Sequence, residues 1–297
     1  MPSQQAIDTV AQIREHIVVQ QLRMKPMPVQ GARESFDSFA QWIPCPADVK
    51  VEKVDANGAK AEWIVAPGAA TDRALLYLHG GCFVIGSAES HRETCARISA
   101  ATDGAVLLVD YRRTPEDPCP AAIEDAVSGF NWLVEKKGIP ASRIVIAGES
   151  AGGNLTLAAM IVLRDRKQKL PAAGVLFSPW VDLECTGKDP EIPDEILRRA
   201  DLRYLACYYL GDLPPRDSMA SPLYADLRGL PPLYIHVGSA EVLLDDSHRL
   251  VDVARKAGVE VKFDVWDGLF HAFLLYPLPE SADAFQRMAK FIRERIA

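Results

Sequence analysis

Apolar residues recur along the chain at two periods, and the way these periods alternate sets the expected architecture. Ile7, Val10, Ile13, Ile17 and Leu22 fall at near-helical spacing with Gln, Arg and Glu between them, which predicts an amphipathic helix. Residues 24–47 are rich in Pro and aromatics and have no clear period. From 49 onward the pattern changes. Residues 49–54 and 60–65 read as two strands joined through Asn57-Gly58, a hairpin signal. Strands are then expected at 74–78, 106–111, 144–147 and 174–177. Helices at 91–101, 121–137 and 152–163 separate them, the second stopped by Gly138-Ile139-Pro140. After Trp180 the alternation breaks: residues 183–222 hold Pro190, Pro193, Pro214, Pro215 and a helical patch around 196–210. It resumes with strands at 233–237 and 259–266 and helices at 247–257 and 282–296.

Repeated alternation of apolar strands with helices predicts an α/β fold, its mostly parallel sheet covered on both faces. The stretches 1–47 and 183–222 are too long to be simple connections, so a cap or lid is expected there. A length of 297 residues allows two domains but also fits one α/β core. Lys and Arg number 33 against 40 Asp and Glu, and this net charge of -7 argues against a nucleic-acid partner. No apolar run approaches the roughly 18 residues that span a bilayer. Asp8, Arg14 and Glu15 interrupt any signal-peptide core. The cysteines at 45, 82, 95, 119, 185 and 207 include no pair at the spacing of a zinc or thioredoxin motif. Reduced thiols in a cytoplasmic protein are the simplest expectation, with no metal.

Gly148-Glu149-Ser150-Ala151-Gly152 fits G-x-S-x-G and lies between a predicted strand and a predicted helix, as a nucleophile elbow requires. The alternative is a phosphate-binding or inert Gly-Ser turn. A second strand runs into His79-Gly80-Gly81-Cys82-Phe83. Glycines there would let backbone N–H groups turn toward an oxyanion, each such donor being worth about 2.7–4 kcal/mol in the transition state. Gly80 and Gly81 are the expected donors, with the Ala151 N–H as a third. His79 reads as a structural loop residue.

A serine nucleophile needs a base, and the base needs an orienting carboxylate. Three histidines follow Ser150. His236 falls inside a predicted strand and His248 inside a helix, whereas His271 lies in the loop Gly268-Leu269-Phe270-His271 and is the expected base. For the acid, Glu241, Asp245 and Asp246 compete just after strand 233–237. Asp245 and Asp246 precede an amphipathic run and could serve only the helix N-terminus. Glu241 sits in the loop proper, which favours it.

Several of these segments together give the chain a family likeness. His79-Gly80-Gly81, Tyr111-Arg112 with Pro115-Glu116 and Pro120-Ala121-Ala122, the elbow at 148–153 and Ser178-Pro179-Trp180 all contribute. Ser221-Pro222-Leu223, Gly229-Leu230-Pro231-Pro232 and His271 complete the set. From about Ala74 to the C-terminus the chain resembles the hormone-sensitive-lipase-like family of α/β-hydrolases, the bacterial esterases with a His-Gly-Gly-Gly motif. The resemblance implies an eight-stranded, mostly parallel sheet formed by 48–182 and 223–297, with a helical cap contributed by 1–47 and 183–222. It implies a serine carboxylesterase for short-chain esters that uses no cofactor. Family members commonly carry Asp-Pro-Leu where this chain has Glu241-Val242-Leu243, which strengthens Glu241. Lactonase or deacetylase action on one metabolite uses the same groups, and a non-catalytic small-molecule receptor is a remote alternative.

The departures from the pattern carry expectations too. Cys82 replaces the third glycine, so it would narrow or modulate the acyl site or else be buried filler. Arg113-Thr114, Asp117 and Cys119 replace usual residues in a supporting loop, where altered packing is expected. Phe36, Phe39, Trp42, Leu205, Tyr208, Tyr209 and Leu210 give the cap an apolar character suited to a hydrophobic substrate group. Strand 259–266 is expected to form a sheet edge that builds a homodimer, with the C-terminal helix alongside.

Overall fold

The structure, a computed structural model, describes residues 1–14 and 28–296. The part of the N-terminal helix expected over Ile17 and Leu22, and the side chain of Phe39, lie outside the described residues. The strands are β1 (Lys50–Ala56), β2 (Ala59–Val65), β3 (Ala70–Leu78), β4 (Gly104–Val109), β5 (Ile144–Glu149), β6 (Ala173–Phe177), β7 (Leu233–Gly238) and β8 (Val261–Trp266). They form one eight-stranded sheet in the order β1-β2-β4-β3-β5-β6-β7-β8. β2 pairs antiparallel with both β1 and β4, and every pairing from β4 to β8 is parallel. This is the mostly parallel sheet that the strand–helix alternation predicts, in the α/β-hydrolase arrangement that the family likeness implies.

The helices are α1 (Gln4–Arg14), α2 (Val29–Asp37), α3 (Ala88–Thr102), α4 (Ala121–Glu135), α5 (Ala151–Asp165), α6 (Arg199–Leu210), α7 (Leu244–Lys256) and α8 (Pro279–Arg293). The strand period of two sorts side chains onto the two faces. Leu76, Leu78, Leu107, Ile144 and Ile146 pack with α4, α5 and α7. Their neighbours Leu75, Tyr77, Val106, Leu108 and Val145 pack with α3 and α8. Burial on both faces is why these strands are nearly uninterrupted apolar runs.

Several boundaries differ from the sequence expectation, each for a local reason. α3 starts at Ala88 because Ser87 and Ser90 form a reciprocal capping box. α8 starts at Pro279, whose missing N–H costs nothing at a first helical position. α2 lies in a stretch with no readable period; it is short, follows Pro28 and buries only Ala32 among its side chains.

Among the described residues, parts of both irregular stretches reach the loops that follow the strands. Arg33 on α2 donates to the carbonyls of Val84 and Thr114 at 2.9 and 2.8 Å, fastening α2 to the loop after β3. Ala6 and Ile13 of α1 pack with Phe270 and Phe273. α6 docks through Tyr209, whose ring stacks on Phe83 at 3.7 Å.

Candidate active site

The loop after β5 turns at Ser150, whose φ of 56° lies in the left-handed region, and α5 begins at the next residue. So tight a turn leaves no room for side chains on either flank. A Cβ on Gly152 would sit 1.8 Å from the Leu78 carbonyl oxygen, and one on Gly148 would sit 2.5 Å from the same atom. The Ser150 N–H donates to the Phe177 carbonyl at 2.9 Å, which ties the elbow to β6.

His271 lies beyond β8, and its Nδ1 is 2.7 Å from Glu241 Oε2. The other Glu241 oxygen accepts from Ser178 Oγ at 2.8 Å and from the Gly238 N–H. Fully buried and bound on both oxygens, this carboxylate is fixed in direction. Burial pulls the His271 pKa down. The hydrogen bond and charge of Glu241, with the charges of Asp194 and Glu149, outweigh it and leave the pKa raised above 6.5. With the ring Nδ1 committed to Glu241, Nε2 is the nitrogen left to exchange a proton.

The competing carboxylates belong to the helix after β7. α7 begins at Leu244, so Asp245 and Asp246 fall in its first turn. Asp246 Oδ2 accepts the amides of Val181 and Asp182 at 3.3 and 3.1 Å. Burial and the neighbouring Asp182 raise its pKa to about 7. His236 lies within β7, and burial pushes its pKa down to about 3.

The loop after β3 brings a correction. The Gly80 N–H was expected to face an oxyanion, but it donates to Glu149 Oε1. Glu149 is a buried carboxylate that also accepts from Tyr77 Oη at 2.6 Å and lies 2.8 Å from His91 Nε2. Burial lowers the His91 pKa, but Glu149 more than compensates and the net shift is upward, which favours an imidazolium–carboxylate pair. Among the described residues, the N–H groups of Gly81, Cys82 and Ala151 donate to no protein atom. His79 is a packing residue, its ring stacked between Tyr111 at 4.1 Å and His91 at 5.2 Å. Thr114 and Cys119 donate their amides to Phe83 and Tyr209, so the divergent loop braces the one after β3.

Gly81, Cys82, Ser150 and His271 line one cavity of about 90 Å³, closed by Phe36, Ile196, Leu197, Leu275 and Tyr276. A second cavity of about 60 Å³ shares Phe36, Leu275 and Tyr276, and Ser90, Glu93 and Thr94 give it a polar side. Of the apolar cap residues singled out from sequence, Phe36 reaches the cavity. Leu205, Tyr209 and Leu210 are buried in the core, Trp42 is exposed and Tyr208 rests on Tyr204. Cys82 adopts a φ of 55° and lines the cavity; burial lifts its thiol pKa to about 12, so it stays protonated at neutral pH.

Leu275 and Tyr276 lie in an aperiodic stretch, and Ile196 and Leu197 carry only a helical period, which does not point to a cavity. The partners of Glu149 carry no short-range signal either, since His91 is 58 residues away. Among the described residues no cluster of His, Cys, Asp or Glu could hold a metal ion, and no helix is long and apolar enough to cross a membrane.

The sheet, the elbow and the facing histidine loop define an α/β-hydrolase, and the alpha/beta hydrolase fold family matches residues 75–275. An acetyl-hydrolase of Streptomyces hygroscopicus is 44% identical over 267 residues, covering 88% of this chain and 86% of its own. An esterase of Acinetobacter venetianus is 33% identical, covering 91% and 90%. The crystal structure of an esterase from the bacterial hormone-sensitive lipase family superposes with a TM-score of 0.93 at 39% identity, covering all of both chains. The chain belongs to the α/β-hydrolase fold family, in its bacterial hormone-sensitive-lipase branch.

Proposed function

We propose that Ser150, His271 and Glu241 act as nucleophile, general base and orienting acid in a serine carboxylesterase. The relatives are named esterases and acetyl-hydrolases, and the protein is an ester hydrolase of the same kind. The observation that carries the residue roles is the 2.7 Å Glu241–His271 contact beside the cavity that Ser150 lines. Ser150 Oγ attacks the ester carbonyl while His271 Nε2 takes its proton, and Glu241 stabilises the imidazolium. Oxygen becomes negative where the unpaired amides of Gly81 and Ala151 can meet it, with the Cys82 amide a third donor. The Gly80 amide holds the loop through Glu149 instead. His271 then protonates the leaving alcohol, and water, activated by the same base, releases the acid from the acyl-enzyme.

The cap comprises 1–47 and 183–222 over a core of 48–182 and 223–297. This assignment is supported by Phe36, Ile196 and Leu197 closing the cavity from both cap segments. The small volume suits short acyl or alcohol groups. Six free thiols fit a reducing, cytoplasmic setting, and a homodimer through β8 completes the reading. Ser150→Ala is expected to keep its circular-dichroism spectrum and lose hydrolysis of p-nitrophenyl acetate. Retained turnover refutes the assignment. A lactone series alongside the linear esters tests whether cyclic esters are preferred.

A further inference from the structure

The cap segment that leads from β6 into the first residue of α6 grips the peptide that follows the acid residue from both sides. Asp194 Oδ2 accepts the Val242 N–H at 2.8 Å, and Arg199 Nη2 reaches the Val242 carbonyl at 3.3 Å. Asp194 Oδ1 meanwhile accepts the amides of Ile196 and Leu197 at 2.8 and 2.9 Å, and these two residues close the cavity over Ser150. One carboxylate therefore shapes the cavity roof and fastens it to the residue next to Glu241.

We propose that Asp194 is a positioning residue that locks the Glu241 loop to the cap and lends its negative charge to the His271 imidazolium. The proposal rests on the serine-esterase reading, and it makes the cap part of the catalytic apparatus as well as a cover. Three carboxylates favour the imidazolium: Glu241 by direct contact from the β7–α7 loop, and Asp194 and Glu149 through their charge. The charge of His271 acts on Asp194 in return. Asp189, Arg198 and Arg199 border the surface pocket it lines, and Arg199 Nε is held by Asp189 at 2.8 Å. Burial raises the Asp194 pKa, and the charge of His271 with the three amides offsets only part of that rise.

The sign of the effect follows directly. The base must be neutral to accept the serine proton, so kcat/KM rises with pH as the imidazolium deprotonates. His271 titrates above 6.5, and the acid limb of the wild-type profile is expected there. Removing the Asp194 charge destabilises the imidazolium, so the limb moves to lower pH.

The test is Asp194→Asn, assayed for p-nitrophenyl acetate hydrolysis across pH. The limb is expected to move down by about one pH unit, as loss of one charge roughly 10 Å away at an effective dielectric near 20 implies. A fall in kcat of about tenfold with little change in KM is expected where only the geometry of the reacting groups is lost. A limb that stays in place overturns the proposal, whatever happens to kcat or thermal stability, because a merely structural role would not move it. If the Asn variant fails to fold, Asp194→Ser keeps a capping oxygen without the charge and must show the same movement. Wild-type enzyme without ester turnover would mean that the serine-esterase reading had failed instead.

Discussion

Cys82 shows how one residue can change a catalytic loop without removing its chemistry. An L-residue at φ near +55° costs roughly 1–2 kcal/mol in the left-handed region, and Phe83 beside it has a φ of 64°. The loop withstands this because Phe83 is stacked on Tyr209 and held by the Thr114 amide. Cys82→Gly relieves the backbone but removes a buried side chain from the cavity wall and frees the unfolded chain by about 0.5–1 kcal/mol. These effects oppose one another, so the melting temperature is expected to change little. The cavity widens, and kcat/KM for butyrate should rise relative to acetate by about tenfold, the lower end of what one methylene in a pocket is worth. An unchanged acyl preference would reduce Cys82 to buried filler. As candidates, Ser150 was legible from its flanking glycines and His271 from its place in a loop, where His236 falls in a strand and His248 in a helix. Spacing alone could not separate Glu241 from Asp245 and Asp246. That choice depends on α7 starting at Leu244 and on the backbone amides that occupy Asp246.

At the scale of elements, the histidine loop depends on a helix on the sheet's other face. Arg97 of α3 donates to the carbonyls of Leu274 and Leu275 at 3.1 and 3.0 Å, and Glu93 one turn earlier orients its guanidinium at 2.9 Å. The turn it holds runs from Phe273 to Leu275, two residues beyond His271, and supplies Leu275 to the cavity wall. Charged hydrogen bonds of this kind are worth about 1.5–3 kcal/mol each. Arg97→Ala is therefore expected to destabilise the protein by about 2 kcal/mol, and a loop displaced by about 1 Å would lower kcat/KM at least tenfold. Thermal unfolding and steady-state kinetics on one preparation check both; unchanged kcat/KM would show that the turn is held by other contacts. None of this could be read from sequence, since Arg97 and Leu275 are 178 residues apart. The strands themselves were legible, because doubly buried strands leave uninterrupted apolar runs. The stretch 183–222 was legible only as an interruption of the alternation. Asp194 accepts the Ile196 and Leu197 amides in a turn that keeps both residues out of α6, where helical spacing would have included them.

The whole molecule leaves one parallel edge unpaired. β8 ends the sheet and pairs only with β7, so its outer N–H and C=O groups form an open template. Natural edges are usually blunted by charge, proline or bulges, yet Val261, Phe263 and Val265 put an apolar stripe on one face, with Val265 44% exposed. Antiparallel pairing with a second copy about a two-fold axis at Phe263 would set Lys262 of each chain opposite Asp264 of the other. The same pairing would set Val261 opposite Val265, so the edge is self-complementary in both charge and apolar surface. The net charge of -7 opposes association only weakly at physiological salt, where screening acts within about 8 Å. A dimer at micromolar concentration is therefore the expected state by light scattering. Val265→Lys places an ammonium against Val261 of the partner at both ends of the ribbon and should shift the mass to that of one chain. Because Glu241 and His271 come from one and the same chain, acetate hydrolysis per chain should survive the split. A monomeric wild type, or a dimer indifferent to the lysine, would leave the stripe as ordinary surface and the β8 edge unused.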